Sequence, residues 1–581
     1  MTQPATRASP TMSKKKVKKA RVLPPAPPPS SSAPHPSSSD DEYYDSYSSP
    51  STTSTLLCPT CSTGFVQFTP SYVSIECEHC QSWYHPTCTS LSNEQFSNIS
   101  SDTKWFCQNC CRIPDFRKAQ PLQCDWGDED PISTFQSATK TIATWKPNLF
   151  NLPGGSIGRS YVAEATRLVT AWAIPTRLER ISIHALMLMG PLLLQNPGKN
   201  TKPAEHREIL KRRLDLWKDG KFKELLAEGN IIQSRLAKGS ASNSANIHRT
   251  FARLMFHGRV GAALRVLSTT PSKPLEITEE VIDQLKSKHP EGKEISTEHL
   301  YSTDPAPKPD PIVFYDISAK SIRDAAGTTK GGAGPSGTPD RLWARMICSK
   351  SFSKEADALA HAIALMTRRL CTVHVDPTTI SPLLACRLIA LDKNPGVRPI
   401  GVGEILRRII GRTVSCHLRT DIMEAAGPLQ LAAGQQGGIE AAVHSMNAMF
   451  HDDGTEGVLL ADASNAFNVL NRQTALVNLR YLCPNLSTFA TNLYRSPTKL
   501  YLSNGEIILS SEGTTQGCNI ASPFYSISVR PLINSLSLSN AKTIFYADDG
   551  AAAGKLAAVR QWWNTLCLAG PGLGYFPNAK N

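Results

Sequence analysis

The stretch I-F-Y-A-D-D-G at residues 544–550 places two adjacent aspartates between apolar residues and a glycine. These flanks predict a strand, a tight turn and a second strand, with Asp548 and Asp549 at the tip of the hairpin. Two other aspartate doublets, at residues 40–41 and 452–453, lack such flanks. The surroundings of the doublet, rather than the doublet itself, therefore point to a functional site.

A third aspartate stands in a comparable position upstream. Val458 to Ala461 form a short apolar strand that ends at Asp462. Two such strand ends can bring Asp462 beside Asp548, and paired carboxylates hold two Mg²⁺ ions roughly 3.5–4 Å apart for an in-line phosphoryl transfer. Taken alone, Asp462 is better explained as a polar strand end, so the joint arrangement carries the prediction.

Three segments around these aspartates are similar to polymerase motifs. Residues 459–471 read L-L-A-D-A-S-N-A-F-N-V-L-N, residues 512–523 read E-G-T-T-Q-G-C-N-I-A-S-P, and residues 545–549 read F-Y-A-D-D. In this order they resemble motifs A, B and C of reverse transcriptases of the non-LTR retrotransposon type. Residues 434–446, G-Q-Q-G-G-I-E-A-A-V-H-S-M, resemble the helix that leads into the palm. The resemblance covers roughly residues 380–581 and implies the fingers and palm of a right-hand polymerase.

The resemblance assigns the catalytic metal ions to Asp462, Asp548 and Asp549, with Asp462 and Asp548 as magnesium ligands. The residue five positions after Asp462 lies beneath the incoming sugar in this family, and here it is Phe467. A phenylalanine gives a 2′-hydroxyl no hydrogen-bond partner and fills its volume, so we expect deoxynucleotides as substrates. RNA polymerases that copy RNA have an aspartate there, and this class is disfavoured. The alternative is that Phe467 is only a core residue.

Two further segments would contact the substrates by the same resemblance. L-D-K-N-P-G-V-R-P-I-G-V-G-E at residues 391–404 resembles the fingers hairpin, in which Lys393 and Arg398 hold the incoming triphosphate. Gln516 and Gly517 would pack against the template and the nucleotide. Taken singly, Lys393 and Arg398 are better explained as part of a solvated loop, and Gln516 with Gly517 as an ordinary turn. Their order and spacing therefore carry the prediction.

Eight metal-ligand residues lie in four pairs with two-residue gaps between residues 58 and 110. Such gaps let both side chains of a pair reach one tetrahedral Zn²⁺, and eight ligands make two structural sites that contribute most of the folding energy. The ligand order and the aromatic pair before the histidine resemble a PHD finger, whereas a RING finger needs a histidine as fourth ligand. By this resemblance one ion is held by Cys58, Cys61, His85 and Cys88, and the other by Cys77, Cys80, Cys107 and Cys110.

The PHD resemblance also implies a protein partner. Many PHD fingers bind the N-terminal tail of histone H3, some through an aromatic cage around a methylated lysine. Trp83 matches the cage tryptophan of one such group. The alternative is that Trp83 and Tyr72 only cover the small core of the finger.

The composition agrees with a polyanionic partner. The chain of 581 residues has 62 Lys and Arg against 49 Asp and Glu, a net charge of +13. Its 16 cysteines occur without a secretory signal, which favours reduced thiols and metal ligation.

The basic run from Lys14 to Arg21 is typical of a nuclear localisation signal, so we expect the chain in the nucleus. The apolar stretch Ile181 to Leu194 is too short to cross a bilayer comfortably, which predicts a buried helix and no membrane association.

These patterns predict a multidomain chain. Residues 1–55, rich in Ser and Pro, predict a disordered tail, and residues 56–112 form the PHD-type finger. Residues 113–300 predict a mainly helical region without an assigned role. Residues 301–339, rich in Pro, Gly and Lys, predict a linker. Residues 340–581 predict an α+β domain, the fingers and palm of the reverse transcriptase.

The last residues, G-Y-F-P-N-A-K-N at 574–581, resemble the start of the motif that supplies a lysine near the leaving group, with Lys580 offset by about one position. Because the chain stops there, we expect a truncated C terminus without a thumb.

The expected function is an RNA-directed DNA polymerase of a transposable element that uses an RNA template, a DNA primer and deoxynucleoside triphosphates, with a PHD finger for chromatin binding. The alternative is an inactive retroelement fragment that acts only as a zinc-dependent chromatin-binding module.

Overall fold

The computed structural model describes residues 130–578 with short gaps and a few residues before them. The gaps are 175–177, 199–200, 239–246, 268–273, 394–395 and 516, and the earlier residues are 75–76, 83–84, 88–89 and 125. The predicted tail at residues 1–55 lies outside the described residues. Two short antiparallel strands, β1 (Ile75–Glu76) and β2 (Trp83–Tyr84), come from the region of the predicted zinc finger.

The described chain is a mixture of helices and strands in which helices predominate, and its first long part is helical. Asp130 starts the first helix, because its side chain accepts a hydrogen bond from the Ser133 backbone N–H and a proline follows it. The helices are α1 (Pro131–Ala143), α2 (Ser156–Ala173), α3 (Glu179–Leu193), α4 (Pro203–Lys218), α5 (Phe222–Lys238), α6 (Ile247–Phe256), α7 (Val260–Leu267) and α8 (Glu279–Ser287). The prediction of a buried helix is confirmed by α3, in which twelve consecutive residues from Ser182 to Leu193 are buried. None of the described helices is both long and apolar enough to span a membrane.

The segment 301–339, expected to be a linker, instead folds against the rest of the chain. It contains a 3₁₀ helix at Pro311–Asp316 and helix α9 (Ala319–Thr328). Phe314, Ile317 and Ile322 of this segment are buried in the main core. The Pro, Gly and Lys content that suggests a linker is concentrated at the two ends of the segment, so composition misses the apolar residues between them.

Polar side chains of distant helices hold residues 299–310, at the start of this segment. The Asn478 side chain accepts a hydrogen bond from the Tyr301 N–H at 2.7 Å and donates one to the His299 carbonyl at 2.9 Å. The Asn485 side chain accepts a hydrogen bond from the Asp310 N–H at 3.0 Å. These bonds satisfy backbone groups of this stretch, so residues 300–310 are ordered without forming a helix or strand.

The remaining elements alternate between helices and strands. They are α10 (Asp340–Cys348), α11 (Ser353–Thr372), α12 (Pro377–Leu384), β3 (Cys386–Asp392), β4 (Val397–Gly403), α13 (Ile405–His417), α14 (Arg419–Ala426), α15 (Gly438–Phe450), β5 (Gly457–Ala461), α16 (Ala466–Val469), α17 (Arg472–Leu482), α18 (Pro484–Tyr494), β6 (Thr498–Tyr501), β7 (Ile507–Ser510), α19 (Ala521–Ser528), α20 (Arg530–Ser537), β8 (Lys542–Tyr546), β9 (Asp549–Gly554) and α21 (Leu556–Leu573).

Two sheets organise this part. A four-stranded sheet has the order β4-β3-β6-β7, with β3 and β6 parallel and the other neighbours antiparallel. A three-stranded antiparallel sheet has the order β5-β9-β8. Helix α15 packs against β8 and β9 on one face, and α20 and α21 pack on the other. This second sheet positions the predicted aspartates.

One continuous apolar core connects the helical part to this sheet. It runs from Phe135 in α1 to Tyr575 after α21 and includes residues of α2, α3, α11 and α19. Helix α2 packs along α11, and α3 packs on α12. The helices from residue 131 to 238 are therefore built into the same folded body as the elements after residue 340.

Candidate functional site

The three aspartates lie at one end of the three-stranded sheet. Strand β5 ends beside the start of β9, because Ala461 pairs with Gly550. Strands β8 and β9 form the predicted strand–turn–strand hairpin, with Asp548 in its turn and Asp549 at the start of β9. Since Asp462 directly follows β5, the register of the sheet brings all three carboxylates to the same end.

Burial and neighbouring negative charges raise the pKa values of Asp548 and Asp549. Burial is the first cause of the raised pKa of Asp548, and repulsion from Asp549 and Asp462 adds to it. Burial and the charge of Asp462 likewise raise the pKa of Asp549. Neighbouring like charges oppose ionisation, so the cluster favours a bound cation over an additional anion.

The hairpin turn is held in an unusual backbone conformation by a buried glutamine. Ala547 has a φ of 56°, in the left-handed region that residues with a β-carbon rarely adopt. The Gln430 side chain accepts a hydrogen bond from the Ala547 N–H at 2.8 Å and donates one to the Ala547 carbonyl at 3.0 Å. Gln430 is only 1% exposed. No motif in the sequence singles it out, although it fixes the residue next to Asp548.

Two tyrosines that sequence patterns do not single out also lie at the cluster. Burial raises the pKa values of Tyr525 and Tyr575, and the negative charges of the aspartates contribute to both increases. The Tyr575 hydroxyl donates a hydrogen bond to the backbone carbonyl of Asp548 at 2.8 Å. Tyr575 lies in the segment 574–581, whose resemblance to a polymerase motif could have pointed to it. Tyr525 lies in α19, and no sequence motif points to it.

The segment after α21 runs beside the end of β5. The Asn578 N–H donates to the Asp462 carbonyl at 2.8 Å, and the Asn578 side-chain amide lies 3.5 Å from the Asp462 carboxylate. The Ser464 N–H donates to the Phe576 carbonyl at 2.8 Å. The G-Y-F-P-N segment thus adjoins the cluster, while Lys580 lies outside the described residues.

Phe467 lies at the border between the core and the aspartates. Its ring stacks on Tyr525, with 4.6 Å between centroids and an interplanar angle of 27°. It is half-buried and packs against the main core. Because Tyr525 is close enough to the aspartates for their charges to raise its pKa, the ring of Phe467 borders the same site. Its packing fits both a core role and contact with a bound sugar.

The predicted triphosphate ligands lie on the other sheet. Lys393 and Arg398 are exposed at the end of the hairpin formed by β3 and β4. Gly517 contacts this hairpin, because a β-carbon at Gly517 would lie 2.5 Å from the Gly401 carbonyl. Its φ of 95° also favours glycine. The loop that carries Gly517 therefore lies against β4, whereas Gln516 lies outside the described residues.

A buried arginine anchors the start of this loop. Arg472 is 1% exposed, and its guanidinium donates hydrogen bonds to the carbonyls of Ser510, Glu512 and Gly513 at 2.6–2.8 Å. Burial lowers the pKa of Arg472 to about 10, so it stays charged at neutral pH. The planar guanidinium with several donors suits this convergent set of carbonyls better than a lysine would.

The donor chemistry of the aspartates fits magnesium. Carboxylate oxygens are the ligands that Mg²⁺ prefers, and it needs only one or two of them because water and substrate phosphates complete its shell. Within the part of the chain that the structure describes, no three His, Cys, Asp or Glu side chains already converge on a single point. The raised pKa values of Asp548 and Asp549 mean that cations would relieve the repulsion between the carboxylates.

The predicted zinc finger lies almost wholly outside the described residues. Of its eight predicted ligands only Cys88 is described, and it is half-buried. Strand β2 contains Trp83, which pairs through its backbone with Glu76 of β1. Tyr84 and Ile75, opposite each other in this pair, are both buried.

Comparisons with protein-family models and with curated proteins found no match. Any function assigned to the chain therefore rests on its own residues and their geometry. The strongest geometric feature is the group of Asp462, Asp548 and Asp549 at one end of the three-stranded sheet.

Proposed function

We propose that the chain is an RNA-directed DNA polymerase of a transposable element, with Asp462, Asp548 and Asp549 as its catalytic residues. The observation that carries the proposal is the register of β5, β9 and β8, which brings three separately predicted carboxylates to one end of a sheet. The order of the three polymerase-like motifs supports the same function. In this proposal the three-stranded sheet with its helices is the palm, and the four-stranded sheet belongs to the fingers.

The aspartates would bind two magnesium ions together with the substrate. The ions supply activation of the primer 3′-hydroxyl and neutralisation of charge on the leaving pyrophosphate. Asp462 and Asp548 would hold the ions, and Asp549 would add negative charge beside them. Gln430 and Tyr575 keep the turn in place through the backbone of Ala547 and Asp548, so that the carboxylates are positioned before the substrate binds.

Other residues would select and orient the nucleotide. The half-buried ring of Phe467 would lie beneath the sugar and exclude a 2′-hydroxyl. Lys393 and Arg398 would hold the triphosphate, since their exposed side chains remain available on the β3–β4 hairpin. Gly517 allows its loop to approach Gly401 of that hairpin closely, and with Gln516 it would contact the template and the nucleotide.

The N-terminal part would direct the enzyme to chromatin in the nucleus. Eight ligands with the order found in PHD fingers support two structural zinc ions and the binding of a histone H3 tail, with Trp83 as the cage residue. Metal analysis of a fragment covering residues 50–120 should give two zinc ions per chain, and a chelator should unfold it. One zinc ion or none would contradict the ligand assignment.

The polymerase proposal is tested by primer extension on an RNA template with Mg²⁺ and deoxynucleoside triphosphates. Asp462→Asn and Asp548→Asn should each lower the rate by at least about a thousandfold, because each removes a ligand from the metal pair. Asp453→Asn is the matched control, since it alters an exposed aspartate of another doublet. Extension that continues in Asp548→Asn would contradict the assigned site.

A measurement without turnover separates the metal site from the reaction. Mn²⁺ can replace Mg²⁺ and is detected by electron paramagnetic resonance. The parent chain and Asp453→Asn should bind Mn²⁺ with similar affinity, and Asp548→Asn should bind it at least about tenfold more weakly. Equal Mn²⁺ affinity in all three chains, together with no template-dependent product, would favour a chromatin-binding module without enzymatic activity.

A further inference from the structure

A long stretch of the helical part contains only positive charges. Residues 229–275 contain no Asp or Glu. Their basic residues are Arg235, Lys238, Arg249, Arg253, Arg259, Arg265 and Lys273. Helices α6 and α7 lie in the middle of this stretch, and nothing in the aspartate site requires their charge. Such a charge distribution attracts a polyanion.

Helices α6 and α7 form a hairpin with a well-defined tip. The Arg259 N–H donates to the Leu254 carbonyl and the Gly258 N–H donates to the Met255 carbonyl, both at 2.9 Å. Together with the φ of 68° at Gly258, these bonds form the Schellman motif that ends a helix at a glycine. Ala263 of α7 is fully buried. The tip is therefore fixed by backbone hydrogen bonds.

One face of this hairpin combines arginines with an exposed aromatic ring. Arg249, Arg253 and Phe256 have the spacing i, i+4 and i+7, so they lie in one row along α6. Both arginines are exposed, and Phe256 at the tip is 87% exposed. Arg259 is exposed directly after the turn. Among the described residues no ion pair forms with these three arginines, so their charges and the exposed ring are available to a binding partner.

We infer that the α6–α7 hairpin binds unpaired nucleic acid at a site separate from the aspartate cluster. Arg249, Arg253 and Arg259 contact backbone phosphates, and Phe256 stacks on an unpaired base. Arginine forks recognise phosphates, and an exposed aromatic ring is a stacking platform for bases of any sequence. An acidic protein helix could form ion pairs with the arginines, but these ion pairs would not account for the exposed ring of Phe256 at the tip. The inference does not depend on the polymerase proposal.

The test measures fluorescence anisotropy of labelled single-stranded RNA and DNA of equal sequence with the full chain, over a range of salt concentrations. The triple variant Arg249→Gln, Arg253→Gln, Arg259→Gln should bind at least about tenfold more weakly. Its slope of log affinity against log salt should fall by about 2, because each lost phosphate contact on a single strand removes roughly 0.7. Comparison of the affinities for single-stranded RNA and DNA shows which nucleic acid the hairpin prefers.

A second variant isolates stacking from charge. Phe256→Ala should weaken binding by between about 5-fold and 150-fold, as expected when one stacked base is lost, without changing the salt slope. The matched control changes three exposed lysines elsewhere, Lys308, Lys350 and Lys354, to glutamine and removes the same charge. This control should keep most of the affinity and the slope. Circular dichroism should show unchanged helix content for every variant, because all the altered side chains are exposed.

Two results would overturn the inference. One is that the arginine triple variant and the lysine triple variant lose the same affinity and slope, since the hairpin then has no special role. The other is that hairpin variants keep full nucleic-acid affinity but lose binding to vesicles of anionic phospholipid, which would assign the surface to membranes. Primer extension with Asp548→Asn is a separate measurement, so failure of the polymerase proposal is distinguished from failure of this inference.

Discussion

Asp548 illustrates how a single residue of the site lowers the stability of the fold. Burial and the neighbouring aspartates raise its pKa in the folded chain, while an aspartate in the unfolded chain has a pKa of about 3.9. The folded chain therefore binds the proton more tightly. The resulting stabilisation is complete below the unfolded pKa and is lost as the pH rises through the raised folded pKa. At neutral pH the ionised carboxylate opposes folding.

We therefore expect Asp548→Asn to melt at a higher temperature than the parent chain at pH 7 in the presence of a chelator. The gain in the free energy of unfolding should be roughly 0.5–2 kcal/mol, as for other relieved charge repulsions, and should shrink towards about pH 4. Thermal melting at both pH values checks this. Mg²⁺ should then stabilise the parent chain more than the variant. Equal melting curves at pH 7 would show that the charge of Asp548 is not destabilising.

In the proposed reaction, Phe467 would decide the choice of sugar. Phe467→Ala should raise ribonucleotide incorporation much more than it changes deoxynucleotide use, because the ring no longer fills the space of the 2′-hydroxyl. A buried hydroxyl without a partner costs roughly 1–3 kcal/mol, which corresponds to about one to two decades of discrimination. Primer-extension kinetics with both sugars measure this ratio. The ring also stacks on Tyr525, so a parallel melting curve separates lost packing from lost selectivity.

At the scale of an element, the β8–β9 hairpin depends on a neighbouring segment. Leu431 donates a backbone hydrogen bond to the Phe545 carbonyl at 2.9 Å, and the Phe545 N–H donates to the Leu429 carbonyl at 2.8 Å. Gln430 between them bonds both backbone groups of Ala547. A residue with a β-carbon in the left-handed region costs roughly 1–2 kcal/mol, so these contacts offset the strain of the turn.

Gln430→Leu should therefore destabilise the hairpin turn, although the substitution changes the side-chain volume only slightly. It leaves the N–H and carbonyl of Ala547 without partners, and each such group costs roughly 1–3 kcal/mol when buried. We expect a lower melting temperature and a loss of primer extension. Gln436→Leu, at an exposed glutamine of the adjoining turn, is the control and should change neither. Full activity in Gln430→Leu would mean that the turn is held by the hairpin itself.

At the scale of the whole molecule, the helices before residue 238 and the sheets after residue 386 share one core. The Trp172 indole N–H donates to the Thr379 hydroxyl at 3.1 Å, although 207 residues separate them. Arg369 lies over the Trp172 ring at 4.5 Å and forms an ion pair with Glu179. The predicted boundary near residue 340 is therefore not a boundary in the packing.

A fragment that begins at residue 340 should consequently fail to fold cooperatively. It lacks α2 and α3, which cover the apolar faces of α11 and α12. A fragment that begins at residue 125 keeps this core and should melt in a single sharp transition. Circular dichroism melting and gel filtration of the two fragments compare them directly. Cooperative melting of the shorter fragment at the temperature of the longer one would show that the helical part is dispensable for stability.

Local patterns in the sequence were enough to predict the aspartate hairpin, the aspartate after β5 and the buried helix α3. Each depends on a few adjacent residues: apolar runs, a doublet, and a glycine that allows the turn. The same kind of pattern predicts the zinc ligands, the fingers hairpin and the substrate contacts, and their roles stay predictions. The basic stretch at residues 229–275 is also visible in the sequence, but its exposed hairpin is not.

Only the tertiary structure decided which distant residues support the site and where the folded body begins. Gln430 meets Ala547 across 117 residues, and Asn478 holds Tyr301 across 177. Such contacts depend on how helices and sheets pack, and no local spacing encodes them. For the same reason composition predicted a linker at residues 301–339: the apolar core and side chains that order this segment come from elements far away in the chain.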